Sequence, residues 1–330
     1  MPLFCIILLY LACTSASSLK EKHDHSLLLP NQIAGWHFYG STVIEPDQVQ
    51  ITKDIRSQSG GLHCTIPVIY RNWEIHISFH VEGPGKTLFG DGFAFWYTEA
   101  PASYGLCTLL CLLAPPERFL GTAFGSREVF RGLGIFFDTY ANQNGQHAHE
   151  HPYISVMVNN GSRAYDHDKD GTHTELAGCS SDFRNRPHSL AVIRYVNRQL
   201  SLLLKYPGVE KDTECFTVED VDLPIGYYFG ISAATGDLSD AHNIHSIRTF
   251  EVDVPLSAQE LVRDPSRIEP SAGHAAPPRA HVPDDPQPSR TSRFMWTLLM
   301  WTFALSCLGG CSYFGYIYYH RRQRQLKRLY

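Results

Sequence analysis

The chain has 330 residues, of which 18% are charged and 43% are hydrophobic, and its formal net charge is −5. This length allows one large domain with appendages. The slightly acidic net charge gives no reason to expect a nucleic-acid partner.

An apolar run opens the chain at Leu3–Ala12, and small residues follow it as far as Ser18. This pattern is typical of a secretory signal peptide, and the run is too short to span a membrane. Cleavage is expected after Ala16 or Ser18. We therefore assign residues 1–18 to the signal peptide and expect the body of the chain to lie in an oxidising lumen.

The body, residues 19–254, shows β patterning from end to end. Residues Trp73–Val81 alternate strictly between apolar and polar side chains, which predicts a strand with one face in a core. Further strand-like runs, most of them separated by turn residues, occupy 93–97, 133–137, 153–158, 190–195, 200–204, 227–232 and 247–254. Since no helical periodicity is present, the sequence predicts an all-β fold, an antiparallel sandwich or barrel.

One segment of the body, Pro101–Ala123, departs from this pattern. It is a Leu- and Cys-rich stretch between two strand-like runs, and long loops of this kind are uncommon in compact domains. Either Leu106–Leu113 forms a small hydrophobic helix or the segment is an atypical insertion into the ordinary domain. We favour the insertion.

Two acidic loops flank the predicted strand at Tyr153–Val158. The first contains Asp138-Thr-Tyr140-Ala-Asn142, and the second contains His167-Asp-Lys-Asp170-Gly171. Oxygen ligands from Asp, Asn and backbone carbonyls suit calcium better than zinc. On these residues alone, ordinary turns between strands explain the composition equally well. The His-rich stretch 143–151 could bind other metals, although a solvated loop is the simpler interpretation.

Other short polar residues stand at the ends of predicted strands. Asp91 lies between two glycines, where a tight turn lets its carboxylate project while the backbone approaches a ligand closely. Gly236-Asp237-Leu238 follows another strand, and Ser57 and His167 are isolated polar residues. Each of these taken singly is best explained as a turn residue or a structural hydrogen bonder.

The nine cysteines divide by compartment. Two leave with the signal peptide and two lie in an apolar segment near the C-terminus. Five remain in the lumen, namely Cys64, Cys107, Cys111, Cys179 and Cys215. An odd number requires at least one cysteine to be free or to pair between chains. Cys179 and Cys215 lie within regular β patterning, and we favour them as a disulfide.

The C-terminal part carries three further segments. Residues 255–293 are rich in Pro, Ala and Ser, which predicts an extended tether. Phe294–Tyr319 runs for 26 residues without a charged side chain, long enough for a single transmembrane helix. Residues 320–330 hold five Lys or Arg, which places the tail in the cytosol and predicts a single-pass type I membrane protein.

The ordered motifs of the body resemble the leguminous-type (L-type) lectins, and in particular the membrane cargo lectins of the early secretory pathway, the vesicular integral membrane lectin subfamily. The matching stretches run in order through about Ser26–Val254: Gly90–Tyr97, Gly134–Tyr140, Pro152–Ser162, Tyr165–Gly171, Asp182–Asn185 and Gly226–Asp240.

This resemblance implies a concanavalin-like antiparallel β-sandwich, a jelly roll, that binds high-mannose glycans through calcium without being an enzyme. The calcium ligands it implies are Asp138, Tyr140 through its carbonyl, Asn142 and Asp170. The mannose contacts it implies are Ser57, Asp91, Asn142, His167, Gly236, Asp237 and Leu238. Acid is expected to favour release of calcium, and with it release of the sugar.

The resemblance also implies partners and processing. High-mannose glycoprotein cargo would be bound in the lumen of the ER, the ER–Golgi intermediate compartment or the Golgi. Vesicle coat proteins would recognise the tail at Lys327, Arg328, Leu329 and Tyr330, although these charges also serve as ordinary membrane-flanking residues. The Cys179–Cys215 pairing matches the family's lumenal disulfide. Asn160-Gly-Ser162 is a glycosylation sequon, and it is also consistent with a hairpin turn.

A glycoside hydrolase on the same kind of sandwich is the main alternative, because a fold does not fix a function. Such an enzyme needs two carboxylates flanking the scissile bond. Alternation puts Glu251 and Asp253 on one face of a strand, but Pro255 ends that strand. A solvated face is the better interpretation.

Overall fold

The computed structural model describes residues 18–86, 88–100, 122–142, 150–256 and 258–273, together with residues 301, 302, 306, 310, 313 and 314. The chain divides into two compact units, Met1–His281 and Val282–Tyr330. The predicted signal peptide up to residue 17, residues 101–121 of the predicted insertion and the histidines at 147 and 149 lie outside the described residues.

The described part of the first unit is built of short and medium strands. In chain order these are β1 (Ser18–Glu21), β2 (Leu27–Leu28), β3 (Trp36–Gly40), β4 (Val43–Ile44), β5 (Val49–Thr52), β6 (Ser59–Cys64), β7 (Trp73–Glu82), β8 (Gly92–Thr98), β9 (Thr122–Ala123), β10 (Ser126–Arg127), β11 (Arg131–Asp138), β12 (Tyr153–Asn160), β13 (Ala177–Ser180), β14 (Ser189–Val196), β15 (Gln199–Lys205), β16 (Thr213–Val218), β17 (Val221–Asp222), β18 (Tyr228–Ala234), β19 (Ala241–Asp253) and β20 (Ser271–Ala272). Helical turns lie at His23–His25, His167–Lys169 and Pro265–Arg267, and α1 spans Ala258–Val262.

Two antiparallel sheets hold most of these strands. The nine-stranded sheet has the order β16-β15-β14-β7-β19-β5-β4, with β1 and β2 pairing with β19. The seven-stranded sheet has the order β13-β12-β11-β8-β18-β6-β3. The prediction of an all-β antiparallel sandwich is therefore confirmed.

The main core lies between the two sheets, because each contributes one apolar face. Phe79 of β7 contacts Phe93 of β8 and Phe137 of β11, with ring centroids 5.1 and 5.5 Å apart. Trp73 of β7 packs edge-on against Phe229 of β18 at 5.1 Å. Since side chains alternate along a strand, the residues between these aromatic rings point to the opposite face of the seven-stranded sheet.

A second apolar cluster covers that opposite face. Trp96 and Phe136 project from β8 and β11, and Phe124 and Tyr165 pack over them. The Phe136 and Tyr165 ring centroids are 4.1 Å apart. Strand β8 is consequently buried on both faces. This second cluster fixes the β9–β10 hairpin and the segment 161–176 on the sheet, and both segments reach the candidate site.

A disulfide joins the two sheets at one edge. Cys179 of β13 and Cys215 of β16 are bonded, with Cα atoms 5.3 Å apart. These two strands are the end strands of their sheets, so the disulfide links the two sheets at that edge of the sandwich. The predicted pairing is confirmed, and among the described cysteines Cys64 is free and buried.

The sandwich continues beyond the predicted boundary at residue 254. Strand β20 pairs with β17, and the Arg71 guanidinium donates hydrogen bonds to the carbonyls of Glu260 and Arg263 at 2.6 and 2.8 Å. Part of the segment predicted to be a tether, up to residue 272, therefore contacts the rest of the first unit. The Pro-rich composition hides these contacts because they form with residues far away in sequence.

In the second unit, residues 301, 302, 306, 310, 313 and 314 have helical backbone. Among the described residues, no helix has the length and apolar character needed to cross a membrane. Most of the predicted span 294–319, and the whole tail 320–330, lie outside the described part of the chain.

Candidate functional site

The strand register brings five chain segments to one end of the seven-stranded sheet. Gly92, the first residue of β8, lies between Asp138 at the end of β11 and Ala234 at the end of β18. Ala234 in turn pairs with Ser59 at the start of β6, and Asp138 pairs with Tyr153 at the start of β12. The residues just outside these positions, which include most of the predicted site, must therefore be neighbours.

The second acidic loop reaches this end by a route that the sequence does not indicate. Strand β12 runs away from the site, because its far end, Asn160, pairs with Arg131 at the other end of β11. Residues 161–176 then fold back over the second apolar cluster, with Tyr165 buried against Phe136. This return places Asp170 beside Asp138. Asp170 takes a left-handed backbone conformation, with φ 50°.

Asp138 and Asp170 form the buried centre of the site. Asp138 is 3% exposed and Asp170 is 2% exposed. The backbone N–H of Tyr140 donates to Asp138 Oδ1 at 3.0 Å, and that of Asn142 donates to Asp170 Oδ1 at 3.0 Å. These bonds draw the 138–142 loop around the two carboxylates. One atom from each of Asp138, Asp170 and His151 lies within 4.8 Å of the others.

This centre fits a bound cation. Two carboxylates buried so close together repel each other unless a positive charge neutralises them. Within the part of the chain that the structure describes, Asp138 Oδ2 and Asn142 Oδ1 are buried and accept no hydrogen bond. Buried acceptors normally have partners. Hard oxygen donors from Asp and Asn side chains are the ligands that calcium prefers.

A cavity of about 340 Å³ opens beside this centre. Its walls include Ser57, Asp91 and His167, three of the predicted sugar contacts, and the aromatic ring of Phe124. The His167 ring stands edge-on to Phe124, with centroids 5.0 Å apart. One apolar ring beside several short polar side chains is the arrangement expected for a sugar, which has both hydroxyl groups and apolar C–H faces.

Asp91 links the cavity to the buried carboxylates. Its carbonyl oxygen accepts hydrogen bonds from the N–H of Thr139 at 2.9 Å and from the Thr139 hydroxyl at 3.0 Å. Burial raises the pKa of the Asp91 carboxyl to about 6; His167 opposes this shift, and the charges of Asp138 and Asp237 add to it. A cation at the buried centre would favour the ionised form of Asp91.

The remaining predicted residues surround Asp91. The Ser57 N–H donates to the carbonyl of Gly236 at 3.1 Å. A Cβ atom at Gly90 would lie 3.1 Å from Tyr140 and 3.7 Å from Leu238, so these two side chains flank the turn before Asp91. The structure thus brings together the whole predicted set, namely Ser57, Asp91, Asp138, Tyr140, Asn142, His167, Asp170, Gly236, Asp237 and Leu238.

One predicted feature, the glycosylation sequon, lies away from this site. Asn160 is exposed at the end of β12, where the Ser162 hydroxyl donates to its Oδ1 at 2.6 Å and its own amide donates to Glu269 at 3.2 Å. Lys327–Tyr330 fall outside the described residues. Glu251, one of the two carboxylates considered for hydrolysis, forms an ion pair with Lys22 at 2.6 Å.

Sequence reasoning missed His151 and the wall formed by Thr122 and Phe124. His151 precedes β12 and was counted with a solvated loop, but its side chain is only 6% exposed. The signal for it was its place two residues before a strand that pairs with β11. Phe124 follows a segment without recognisable pattern, so no signal marked it.

Comparisons with known proteins agree with this geometry. The sequence profile of the legume-like lectin family matches residues 16–258. The vesicular integral-membrane protein VIP36 of Canis lupus familiaris is 39% identical over 343 residues, covering 100% of this chain and 91% of the relative. The mouse VIP36-like protein is 37% identical, covering 80% of this chain and 74% of the relative. The crystal structure of the VIP36 exoplasmic/lumenal domain bound to Ca²⁺ and Man2 is similar, with a TM-score of 0.68 and 41% identity, covering 77% of this chain and 98% of that one. The profile and the relatives together show that the chain belongs to the legume-like lectin family.

Proposed function

We propose that this protein is a calcium-dependent lectin that binds high-mannose glycans and carries glycoproteins as cargo through the early secretory pathway. The observation that supports the proposal most directly is the cavity at Asp91 beside the buried Asp138–Asp170 pair. The related VIP36 domain has been solved with Ca²⁺ and Man2 bound. Its close similarity in sequence and fold supports the same ligands here.

Asp138, the carbonyl of Tyr140, Asn142 and Asp170 are the residues that would hold calcium. When bound, calcium neutralises the two carboxylates and fixes the 138–142 loop. The chain's own groups then bind the sugar. The Asp91 carboxylate accepts hydrogen bonds from hydroxyl groups, and the Asn142 amide donates one. Because the loops are preorganised, little conformational entropy is lost when the sugar binds.

Ser57, His167 and the segment 236–238 complete the sugar contacts in this proposal. Ser57 is held beside Gly236 by its backbone hydrogen bond, so both can reach one ligand. His167 stands at the cavity wall against Phe124. A set of short polar groups around one aromatic ring discriminates between sugars by hydroxyl position, since an unmatched buried polar group costs affinity.

The predicted segments support a proposal for the route of the protein. We propose that residues 1–18 direct the chain into the ER, and that 294–319 anchor it as a type I membrane protein. The segment after residue 273 would serve as the tether. Residues Lys327–Tyr330 would contact vesicle coat proteins in the cytosol, and Asn160 would carry a glycan in the lumen. Transport between the ER, the intermediate compartment and the Golgi is the role that these parts serve together.

Binding without hydrolysis is the chemistry that the described site supports. Asp138 and Asp170 accept backbone hydrogen bonds and are almost fully buried, so neither is available to protonate a leaving group. Glu251 forms an ion pair with Lys22. We therefore propose a receptor rather than a glycoside hydrolase.

A glycan array tests this function. The purified full chain is applied with calcium and with EDTA, alongside an assay for released sugar. We expect calcium-dependent binding to mannose-rich glycans and no release. Asp91→Asn should abolish binding, and Asp182→Asn, a matched change at a side chain that is 73% exposed, should leave it intact. Binding that persists in EDTA, or cleavage of any glycan, contradicts the proposal.

A further inference from the structure

Three histidines come together on the outer face of the nine-stranded sheet, outside the proposed sugar and calcium sites. The His188 and His245 ring centroids are 4.4 Å apart. The His80 ring lies nearly parallel to that of His245, with an interplanar angle of 20° and centroids 6.5 Å apart. His80 belongs to β7, His245 belongs to β19, and His188 directly precedes β14. A cluster of three imidazoles from three chain segments therefore stands on one sheet face.

The strand register explains why these histidines meet. Strand β7 lies between β14 and β19, and His80 points outward because its neighbour Phe79 points into the core. Phe79 pairs with Ile244 of β19 and with the first residue of β14. His188 comes just before that β14 residue, and His245 comes just after Ile244, where the register shifts at a β-bulge. Bulges re-aim side chains, and here the bulge brings His245 against His188.

His245 offers a nitrogen that no described group binds. Its Nε2 atom is buried and has no hydrogen-bond partner among the described residues, and buried polar atoms normally have one. Burial lowers the pKa of His245, His188 and His80 add to this shift, and the backbone carbonyl of Asp47 opposes it as a hydrogen-bond acceptor. The imidazole is therefore neutral near pH 7, with its proton on Nδ1 and a lone pair on Nε2. That is the form that binds a metal.

Negative charge borders the cluster. The carboxylate of Asp47 acts on His245, and Glu82 Oε2 lies 3.7 Å from His80 Nδ1. The other oxygen of Glu82 accepts a hydrogen bond from the Asn243 amide at 3.2 Å, which holds this carboxylate beside His80. Neutral imidazoles next to two carboxylates attract a cation and repel an anion.

The spacing of the rings suits ligands of one ion. Around a tetrahedral ion with metal–nitrogen bonds of about 2.1 Å, imidazole centroids lie about 5 Å apart, which falls between the two observed distances. The donor nitrogens are less closely gathered than the ligand atoms of the Asp138 centre, which lie within 4.8 Å of one another. His188 is exposed, so rotation of its ring, together with that of His80, would direct the nitrogens to one point.

We propose that His80, His188 and His245 form a metal site on the outer face of the nine-stranded sheet, and that this site takes Zn²⁺ or a similar divalent transition metal. Imidazole nitrogens are good ligands for zinc, copper and nickel, whereas calcium prefers oxygen. Three histidines leave a fourth position for water or another ligand. A bound ion would join β7, β19 and the start of β14. The site shares no residue with the proposed lectin site and does not rest on that function.

The test uses the full chain, purified in detergent, with Zn²⁺ as the probe and calcium in excess to occupy the Asp138 centre. Isothermal titration calorimetry measures the zinc affinity. His188→Asn and His245→Gln should each weaken zinc binding about ten-fold or more, because even a group that only supports a metal ligand is worth about that much. Asn suits residue 188, whose backbone is left-handed with φ 57°.

His37→Gln is the matched control, since His37 is exposed on β3 of the other sheet; it should leave zinc affinity unchanged. A second measurement needs no variant. Diethyl pyrocarbonate modifies accessible imidazoles, and mass spectrometry locates them; zinc should protect His188 and leave His37 modified. Equal modification of His188 with and without zinc overturns the proposal. Unchanged zinc affinity in the folded His188→Asn and His245→Gln variants also overturns it.

Discussion

Gly236 lies directly against the carboxylate of Asp91. A Cβ atom at Gly236 would be 3.1 Å from Asp91 Oδ2 and 3.2 Å from Oδ1. Any larger residue would have to displace the carboxylate by a few tenths of an ångström. The glycine therefore allows the 236–238 segment to lie against Asp91, so the backbone of that segment limits the orientation of the Asp91 carboxylate.

Gly236→Ala should consequently weaken mannose binding. The extra methyl group pushes the Asp91 carboxylate away from its position, and we expect a loss of about five-fold or more, or roughly 1 kcal/mol. Isothermal titration calorimetry with a mannose disaccharide measures it. Calcium affinity and thermal stability should stay unchanged, because Gly236 contacts neither buried carboxylate. Unchanged mannose affinity would show that the contact does not orient Asp91.

Calcium should stabilise the fold as well as the sugar site. A ligand present at about 100 times its dissociation constant adds about 2.7 kcal/mol to the free energy of unfolding. Asp138→Asn keeps the Oδ1 acceptor for Tyr140 and removes the charge, so calcium should no longer raise its melting temperature. Asp182→Asn, on the exposed surface, should respond like the unmodified chain. Differential scanning calorimetry with calcium and with EDTA gives the comparison.

The strands could be predicted where one face is buried. Trp73–Val81 was predicted and β7 spans Trp73–Glu82, because strict alternation reports burial on one side. Strand β6, Ser59–Cys64, was missed, since its Gly60-Gly61 pair and its burial on both faces remove any alternation. A strand can therefore be predicted from sequence here only where its residues alternate between apolar and polar side chains.

Local sequence patterns are also insufficient to predict the geometry of the candidate site. The residues of the sugar and calcium sets could be named from family motifs, but their convergence depends on the register of β6, β8, β11 and β18. His151 could be named only as one histidine of the stretch 143–151, and the pairing of Tyr153 with Asp138 is what places it beside the carboxylates. A contact between sheet partners far apart in sequence leaves no trace in composition.

The Cys179–Cys215 bond should contribute strongly to stability. It closes a loop with a sequence separation of 36, and such a constraint on the unfolded chain is worth about 2–4 kcal/mol. We expect the Cys179→Ala, Cys215→Ala double variant to lose that amount in urea denaturation. The reductant dithiothreitol should destabilise the unmodified chain and leave the double variant unaffected, as the remaining described cysteine, Cys64, is free.

His242 should make the fold sensitive to acid. Burial lowers its pKa to about 3, and its Nδ1 lies 2.7 Å from the Thr52 hydroxyl. Below its unfolded pKa of about 6.5 the unfolded chain binds a proton that the folded chain does not, so stability falls as the pH drops from about 6.5 towards 3. Between pH 7.5 and 5 this residue alone should cost about 2 kcal/mol.

His242→Asn keeps an acceptor near Thr52 and does not titrate, so it should remove that part of the pH dependence. Urea denaturation of the metal-free chain at both pH values measures it. His63, whose pKa burial lowers to about 4, acts in the same direction and is retained, so some loss should persist. An unchanged difference between pH 7.5 and 5 would contradict the role given to His242.

Arg184 joins the two loops that carry Asp91 and Leu238. Its guanidinium donates to both oxygens of Asp240 at 2.7 and 2.8 Å, and to the carbonyls of Gly83 and Gly85 at 3.0 and 2.7 Å. It also lies 4.0 Å from the ring centroid of Phe89. Asp240 is two residues beyond Leu238, and Phe89 is two residues before Asp91. The buried guanidinium of Arg184 therefore supports both walls of the cavity.

Arg184→Lys retains the charge but loses the planar fork that makes these bonds together. We expect the free energy of unfolding to fall by about 2 kcal/mol and mannose affinity to fall about ten-fold, because both loops lose their anchor. Arg186→Lys is the matched control: its ion pair with Asp182 is exposed, and such pairs contribute less than about 1 kcal/mol. If Arg184→Lys lowers stability without lowering mannose affinity in the fully folded protein, Arg184 supports the sandwich but does not position the loops.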